Sequence, residues 1–169
     1  KCAGPQDLQK LADRLDALEA AFGLRRGATG ILPLVTESAA ALGRLDYAGV
    51  TPRLWALGVA GEDLAADLGV AARAAGRLNP LLDHARRAVA YAAAAAGVPA
   101  LDTPFPDPRD PEGLARETQA AATLGFAGKL CIHPAQVAPV RAAFTPDPAR
   151  LAWAGAVIAA LSGPGATGV

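Results

Sequence analysis

Four short, largely apolar runs separated by helical segments constrain the fold of this chain more than any other feature. The runs cover residues 31–35, 54–59, 100–103 and 128–133. They have the length of strands but lack the alternation of a half-exposed sheet, so they predict strands covered on both faces. The predicted helices span residues 5–22, 39–42, 62–69, 80–96, 112–124, 134–144 and 147–161. Residues 70–79, which include Arg73 and Arg77, show no pattern and are predicted to be irregular.

Strands that alternate with helices indicate a parallel sheet with right-handed crossovers, and therefore an α/β fold. A doubly wound sheet and a (β/α)8 barrel both satisfy this pattern. A dinucleotide-binding doubly wound sheet carries Gly-x-Gly-x-x-Gly after a strand, and none of the four runs is followed by it. We therefore expect a (β/α)8 TIM barrel.

The length of the chain suggests that the barrel is incomplete. A full barrel has eight strands and about 250 residues, whereas this chain has 169 residues, no methionine and Lys1 at its start. A half barrel leaves two sheet edges open, which is unfavourable for a soluble protein. Together with the end of a further strand at Lys1 and Cys2, the four runs predict approximately the last five strand–helix units. We expect residues 1–161 to be the C-terminal part of a single TIM-barrel domain and residues 162–169 to be a flexible tail.

The charge balance and the cysteine count restrict the partners of the protein. Sixteen acidic residues balance sixteen basic ones, so no net charge attracts nucleic acid or an anionic membrane. No apolar run reaches the roughly 18 residues of a membrane-spanning helix. Two scattered cysteines, Cys2 and Cys131, make neither a disulfide framework nor a zinc site. We expect a cytoplasmic protein that acts on a small molecule, without nucleic-acid or membrane partners.

Polar residues follow each predicted strand, where barrel enzymes place their catalytic groups. These residues are Glu37, the pair Glu62 and Asp63, Asp102, and His133. Carboxylates at neighbouring strand ends can share one Mg²⁺ ion, which takes oxygen ligands and acts as a Lewis acid. Structural roles are open as alternatives. The acids can cap the following helices or favour their first turns, Asp102 can cap a loop, and His133 can start a helix.

Three segments make the chain resemble a known family. Residues 125–137 closely resemble the signature GF-x-GK-x-x-IHP-x-Q of the citrate lyase β-subunit-like family, which includes malyl-CoA and citramalyl-CoA lyases within the pyruvate-binding barrel superfamily. Residues 31–38 look like its metal-binding glutamate strand, and residues 61–69 like its G-x-EDL segment. Lys1 resembles the lysine that ends its fourth strand. The segments are ordered and spaced as in the family across nearly all of residues 1–150.

The resemblance implies a fold, a cofactor and a reaction. It implies Mg²⁺ bound by Glu37 and Asp63, with Asp102 and His133 near the mouth of the site as candidate catalytic residues. The implied reaction cleaves or forms a carbon–carbon bond in a 3-hydroxyacyl-CoA-like thioester, such as malyl-CoA or citramalyl-CoA, through a metal-stabilised enolate. The implied assembly is a homotrimer or a hexamer built as a dimer of trimers.

Two departures leave other functions open. The family usually has Gly-Ala before Glu-Asp, whereas this chain has Ala60-Gly61, which can shift the loop that carries Asp63. The substrate-binding arginine and an acidic pair that the family carries on its first three strands have no counterpart here, nor does its C-terminal lid, so we expect residues 1–169 alone to lack a complete active site. The alternatives are a CoA-independent 2-keto-acid aldolase of the same superfamily and a non-catalytic homologue or partner subunit.

Overall fold

The computed structural model describes residues 2–162. Seven α-helices lie in this part of the chain: α1 Pro5–Ala21, α2 Ala39–Leu42, α3 Gly61–Leu68, α4 Pro80–Ala96, α5 Pro111–Thr123, α6 Val137–Phe144 and α7 Pro148–Leu161. Five short strands accompany them: β1 Leu57–Gly58, β2 Arg73–Ala74, β3 Arg77–Leu78, β4 Ala100–Asp102 and β5 Gly128–Lys129. Lys1 and residues 163–169 lie outside the described residues, and with them nearly all of the predicted flexible tail.

The sheet confirms the predicted α/β class. Its strands are parallel and lie in the order β1, β4, β5. Leu57 pairs with Ala100, and Leu101 pairs with Gly128. The helices α3 and α4 lie between β1 and β4 in the chain, and α5 lies between β4 and β5. Barrel closure stays a prediction.

Residues 31–35 run beside β1 as a fourth parallel segment, but they form only two isolated bridges, Ile31 to Leu54 and Leu34 to Gly58. Proline accounts for the interruption, because Pro33 has no backbone N–H to donate. The Pro33 carbonyl still accepts from the Gly58 N–H at 2.9 Å, and the Val35 N–H donates to the Gly58 carbonyl at 2.9 Å. The predicted strand is therefore correct in place and direction but not as a continuous ladder.

The prediction of irregular structure at residues 70–79 was wrong. Strands β2 and β3 form an antiparallel hairpin in which Arg73 pairs with Leu78 and Ala74 with Arg77. Its two-residue loop has φ 49° at Ala75 and φ 69° at Gly76. Two consecutive positive φ values match the twist of a tight hairpin, and glycine adopts them without strain. The strands are too short to show the alternation that would reveal a hairpin in the sequence.

Local signals set the ends of α4 as expected. The Asn79 side chain accepts from the Leu81 N–H at 3.0 Å, and Pro80 occupies the first turn. Both features favour a helix start, because asparagine caps a free N–H and proline needs none. Gly97 ends the helix at φ 68°, in the left-handed region.

The core lies between the sheet and the helices. Its buried members from the sheet region and α4 include Leu57, Val59, Ala100, Val89 and Ala93. On the other face of the sheet, Leu32 and Leu34 lie across Gly58, where an added Cβ would come within 2.7 Å of Leu34 Cδ2. Leu32 is 39% exposed, so the described residues cover this second face incompletely.

The C-terminal helix α7 contributes no buried residue to the described structure. Its large apolar side chains Leu151, Trp153, Ile158 and Leu161 are exposed. In the described part of the chain, no helix is both long and apolar enough to cross a membrane.

Candidate functional site at the carboxyl edge of the sheet

The four candidate site residues follow the four parallel segments at the same edge of the sheet. Glu37 comes two residues after the segment 31–35, and Asp63 lies in the first turn of α3, just beyond β1. Asp102 is the last residue of β4, and His133 follows β5 by four residues. Since parallel strands end at one edge, the fold places all four on the side where α/β proteins bind ligands.

Two hydrogen bonds bring the Glu37 and Asp63 segments together. The Thr36 hydroxyl, fully buried, accepts from the Ala60 N–H at 2.8 Å. The Ala39 N–H donates to the Asp67 carboxylate at 2.9 Å. These bonds lie on either side of Glu37 along one segment and on either side of Asp63 along the other. The two carboxylates are therefore held on facing segments.

The capping alternative for Glu37 does not match the structure. Ser38 is the cap of α2, and its Oγ accepts from the Ala41 N–H at 3.2 Å. Glu37 precedes that cap and is half-buried. Asp63 is also half-buried and lies within the first turn of α3, where a negative charge is favourable. Neither side chain is without a partner.

Gly61 allows a second threonine to hold the start of α3. The Thr103 Oγ1, which is buried, accepts from the Gly61 N–H at 3.0 Å. A Cβ on residue 61 would lie 2.7 Å from that oxygen. The order Ala60-Gly61 therefore fits a Thr103 hydroxyl that occupies the place of a side chain at position 61. Thr36 and Thr103 supply acceptors to a helix start that has no side-chain cap of its own.

Asp102 lies in a buried ion network that the sequence did not predict. Its side chain is fully buried, and its Oδ2 accepts from Lys129 Nζ at 2.8 Å. Arg86 Nε lies 2.8 Å from Asp102 Oδ1, and Arg86 Nη2 donates to Oδ2 at 3.3 Å. Lys129 Nζ also donates to Glu117 Oε1 at 2.7 Å. The strands β4 and β5 are thus joined to α4 and α5 by paired buried charges.

Arg73 extends this network to the surface. Its Nε and Nη2 donate to the two oxygens of Glu117, each at 2.9 Å, and its Nη1 donates to Glu62. Burial raises the pKa of the Glu117 carboxyl, but Arg73 and Lys129 outweigh this effect and hold the pKa below its usual value. Glu117 is therefore charged at neutral pH.

His133 is exposed, and its Nδ1 accepts from the Ala135 N–H at 3.2 Å at the start of the 3₁₀ turn. This is the structural role that the sequence left open for it. The buried Gln136 side chain accepts from the Ile132 N–H at 2.9 Å and donates to the Phe105 carbonyl at 2.8 Å. The segment after β5 is thereby fastened to the loop after β4, with the His133 ring accessible.

The donor set of this edge suits a hard cation with few protein ligands. Among residues 2–162 there is no group of three or more His, Cys, Asp or Glu side chains that could hold a metal. Two carboxylates are the protein contribution typical of Mg²⁺, which completes its shell with water and substrate oxygens. Glu37 and Asp63 fit this chemistry, and Lys1 lies outside the described residues.

Parallel strand–helix units with acidic residues at the carboxyl edge define an α/β protein that has a candidate cation site. The profile of the HpcH/HpaI aldolase/citrate lyase family matches residues 1–134. The chain belongs to this family, as the resemblance of its motifs indicated.

Relatives support the assignment over most of the chain. Mitochondrial citramalyl-CoA lyase of Rattus norvegicus is 30% identical over 171 residues, which cover 95% of this chain and 48% of that enzyme. The solved structure of CitE from Mycobacterium tuberculosis in complex with magnesium, acetoacetate and coenzyme A has 37% identity and a TM-score of 0.60. The match covers 78% of this chain and 51% of the CitE chain. The chain thus spans about half the length of such relatives.

A third comparison concerns the fold alone. A solved citrate lyase from Burkholderia xenovorans has a TM-score of 0.82 at 24% identity, covering 95% of this chain and 52% of that one. The described α/β arrangement is therefore shared along nearly the whole chain.

Proposed function

We propose that the full-length protein is a Mg²⁺-dependent carbon–carbon lyase of the citrate lyase β-subunit type. The observation that carries the proposal is the pair of hydrogen bonds, Thr36 to Ala60 and Ala39 to Asp67, that hold the Glu37 and Asp63 segments side by side. Family membership and the lyase names of the relatives support the reaction class.

Glu37 and Asp63 are the proposed metal ligands. Both are half-buried, and both follow parallel segments that end at the same edge. When bound, Mg²⁺ supplies Lewis-acid chemistry that stabilises the developing enolate charge. The ion in the complex of the Mycobacterium tuberculosis relative supports the choice of metal.

The proposed substrate is a 3-hydroxyacyl-CoA-like thioester such as malyl-CoA or citramalyl-CoA. The exposed His133 ring is the proposed catalytic contact, because it stands at the same edge and is open to a ligand. Asp102 was predicted as a second catalytic residue. Its enclosure by Lys129 and Arg86 favours a positioning role, since a fully buried carboxylate with two cationic partners cannot reach substrate without breaking them.

The finer architecture is part of the same proposal. We infer that the four parallel segments belong to a (β/α)8 barrel in the full-length protein. The inference is supported by the partly exposed sheet face on which Leu32 lies.

We further infer a homotrimer or hexamer. The exposed apolar residues of α7 support this assembly, because such a surface favours association. A cytoplasmic location accords with two free cysteines.

The substrate test compares two assays on the full-length protein with Mg²⁺. Cleavage of malyl-CoA to acetyl-CoA and glyoxylate, or of citramalyl-CoA to acetyl-CoA and pyruvate, is expected, and cleavage of a 4-hydroxy-2-keto acid is not. The reverse result identifies a CoA-independent aldolase, and the absence of both activities favours a non-catalytic homologue. Light scattering of the same sample tests the trimer.

A further inference from the structure

Arg73 connects the start of α3 to the buried ion network. Its guanidinium donates to Glu62 on one side and to both oxygens of Glu117 on the other. A third acceptor is the Pro104 carbonyl at 3.1 Å, and the Phe105 ring centroid lies 5.3 Å from the guanidinium carbon. Arg73 itself is only 15% exposed. The hairpin thus places one guanidinium group, that of Arg73, in contact with α3, α5 and the loop after β4.

We propose that Arg73 is a positioning residue for Asp63, acting through Glu62. Glu62 directly precedes Asp63, so fixing the Glu62 side chain restrains the first turn of α3 and the direction of the Asp63 carboxylate. The proposal rests on the proposed function, since it takes Asp63 as a metal ligand.

The first turn of α3 depends on contacts from outside the helix. The helix has eight residues, and its cap Ala60 has no side-chain acceptor. A helix this short is marginal on its own. The three residues before Asp63 are instead each held by a different element: Ala60 by Thr36, Gly61 by Thr103 and Glu62 by Arg73. Of these three contacts, the one between Arg73 and Glu62 joins two charged side chains.

The anchor of Arg73 is rigid enough for this role. Glu117 is 8% exposed and is held on its other side by Lys129, whose side chain is fully buried. Arginine can bind two carboxylates at once because its planar guanidinium carries five N–H donors, whereas lysine offers a single nitrogen. Glu62 is 51% exposed and would sample several rotamers without this partner.

An electrostatic role and a positioning role of Arg73 predict different metal affinities for substitutions that conserve charge. A positive Arg73 beside a cation site repels the cation, so a purely electrostatic role predicts no loss of metal affinity when the charge is kept. A positioning role predicts a loss whenever the Arg73 to Glu62 contact is broken. Arg73→Lys and Glu62→Asp both keep the charge and change the reach of one side chain.

The test titrates the full-length protein with Mn²⁺, followed by the electron paramagnetic resonance signal of the free ion. Glu62→Asp and Arg73→Lys are each expected to weaken Mn²⁺ binding on the order of tenfold, as for other residues that orient metal ligands. The matched control is Glu112→Asp, because Glu112 also lies in the first turn of a helix and pairs with an arginine, Arg116, at 3.7 Å. It is expected to bind Mn²⁺ as wild type does.

Two further variants separate the possible failures. The double variant Glu62→Asp/Arg73→Lys is expected to bind no more weakly than the weaker single variant, because both changes break one contact. Asp63→Asn is titrated in parallel. If it binds Mn²⁺ like wild type, the metal-site assignment fails. If it binds weakly while folded Glu62→Asp matches wild type, the metal site stands and the role of Arg73 is overturned. If Arg73→Lys unfolds, Glu62→Asp still tests the role of Arg73. Glu62 is half exposed, so its substitution is expected to leave the protein folded.

Discussion

Thr103 Oγ1 accepts a hydrogen bond from the Gly61 N–H at 3.0 Å and occupies the space that a side chain at position 61 would need. The contact joins the end of β4 to the start of α3, two residues before Asp63. It also gives a physical reason for the order Ala60-Gly61 in this chain.

The Gly61 contact predicts a coupled pair of substitutions. Gly61→Ala places a methyl group 2.7 Å from Thr103 Oγ1 and 3.3 Å from Thr103 Cβ and Cγ2. We expect a loss of about 1–3 kcal/mol in the free energy of unfolding, as for other overpacked sites. In a Thr103→Ala background the same substitution is expected to cost less, because the crowding oxygen and methyl group are gone. Urea denaturation of the four proteins measures the coupling, and strictly additive effects would contradict the steric account.

Lys129 is expected to be the most costly ion-network residue to remove. Lys129→Met leaves Asp102 and Glu117 with one cationic partner fewer in a buried site, for an expected loss of about 3–5 kcal/mol in unfolding free energy. The matched control is Lys10→Met, since Lys10 is exposed and 3.9 Å from Asp7. That change is expected to stay within about 0.5 kcal/mol in the same denaturation experiment. Similar costs for the two variants would show that the network does not stabilise the fold.

Glu117 is expected to make stability fall in acid. Its pKa in the folded protein lies below the ordinary value of 4.5, because Arg73 and Lys129 outweigh the effect of burial. The stability from this shift is complete above the unfolded pKa and is lost as the pH falls through the folded pKa. Glu117→Gln should therefore be less stable than wild type at pH 7, by a margin that shrinks below pH 4.5. Unfolding curves between pH 7 and about pH 3 test this. A constant margin would contradict it, and Glu112→Gln is the control.

His133 offers a way to separate capping from catalysis. Asparagine also caps helix starts, so His133→Asn should keep the stability that His133→Ala loses, about 1 kcal/mol. If the imidazole contacts substrate, both variants should lose lyase activity on the order of a hundredfold. Thermal unfolding and malyl-CoA cleavage are measured on the same preparations. Full activity in His133→Asn would leave His133 with the capping role alone.

The order of the parallel segments and the helices could be predicted because each of these elements carries its own local signal. Apolar runs marked the parallel segments, and Pro80 and Gly97 marked the ends of α4. The break at Pro33 could be anticipated from its missing N–H, but its extent could not. The hairpin at residues 73–78 was missed because two-residue strands have no pattern to read.

The candidate ligands Glu37 and Asp63 were singled out by their place after predicted strands and by the family resemblance, and their role as ligands stays a prediction. Their supports could not be predicted. Thr36 and Thr103 hold residues that lie 24 and 42 positions away in the chain, and Arg73 holds Glu62 from 11 positions away. No local pattern encodes such pairings. The ion network likewise brings together single residues from the hairpin, β4, α4, α5 and β5. Lys129 and Gln136 belong to the motif at residues 125–137, but the motif does not show which of its side chains are buried.

The binding of Mg²⁺ by Glu37 and Asp63 is tested most directly by calorimetric titration of the full-length protein. Glu37→Gln and Asp63→Asn keep the size of each side chain and remove its charge, and Glu112→Gln removes an exposed charge elsewhere. We predict that each of the first two variants loses Mg²⁺ affinity by more than about tenfold with the fold intact, and that the control binds like wild type. Wild-type Mg²⁺ affinity in both Glu37→Gln and Asp63→Asn would contradict the assignment.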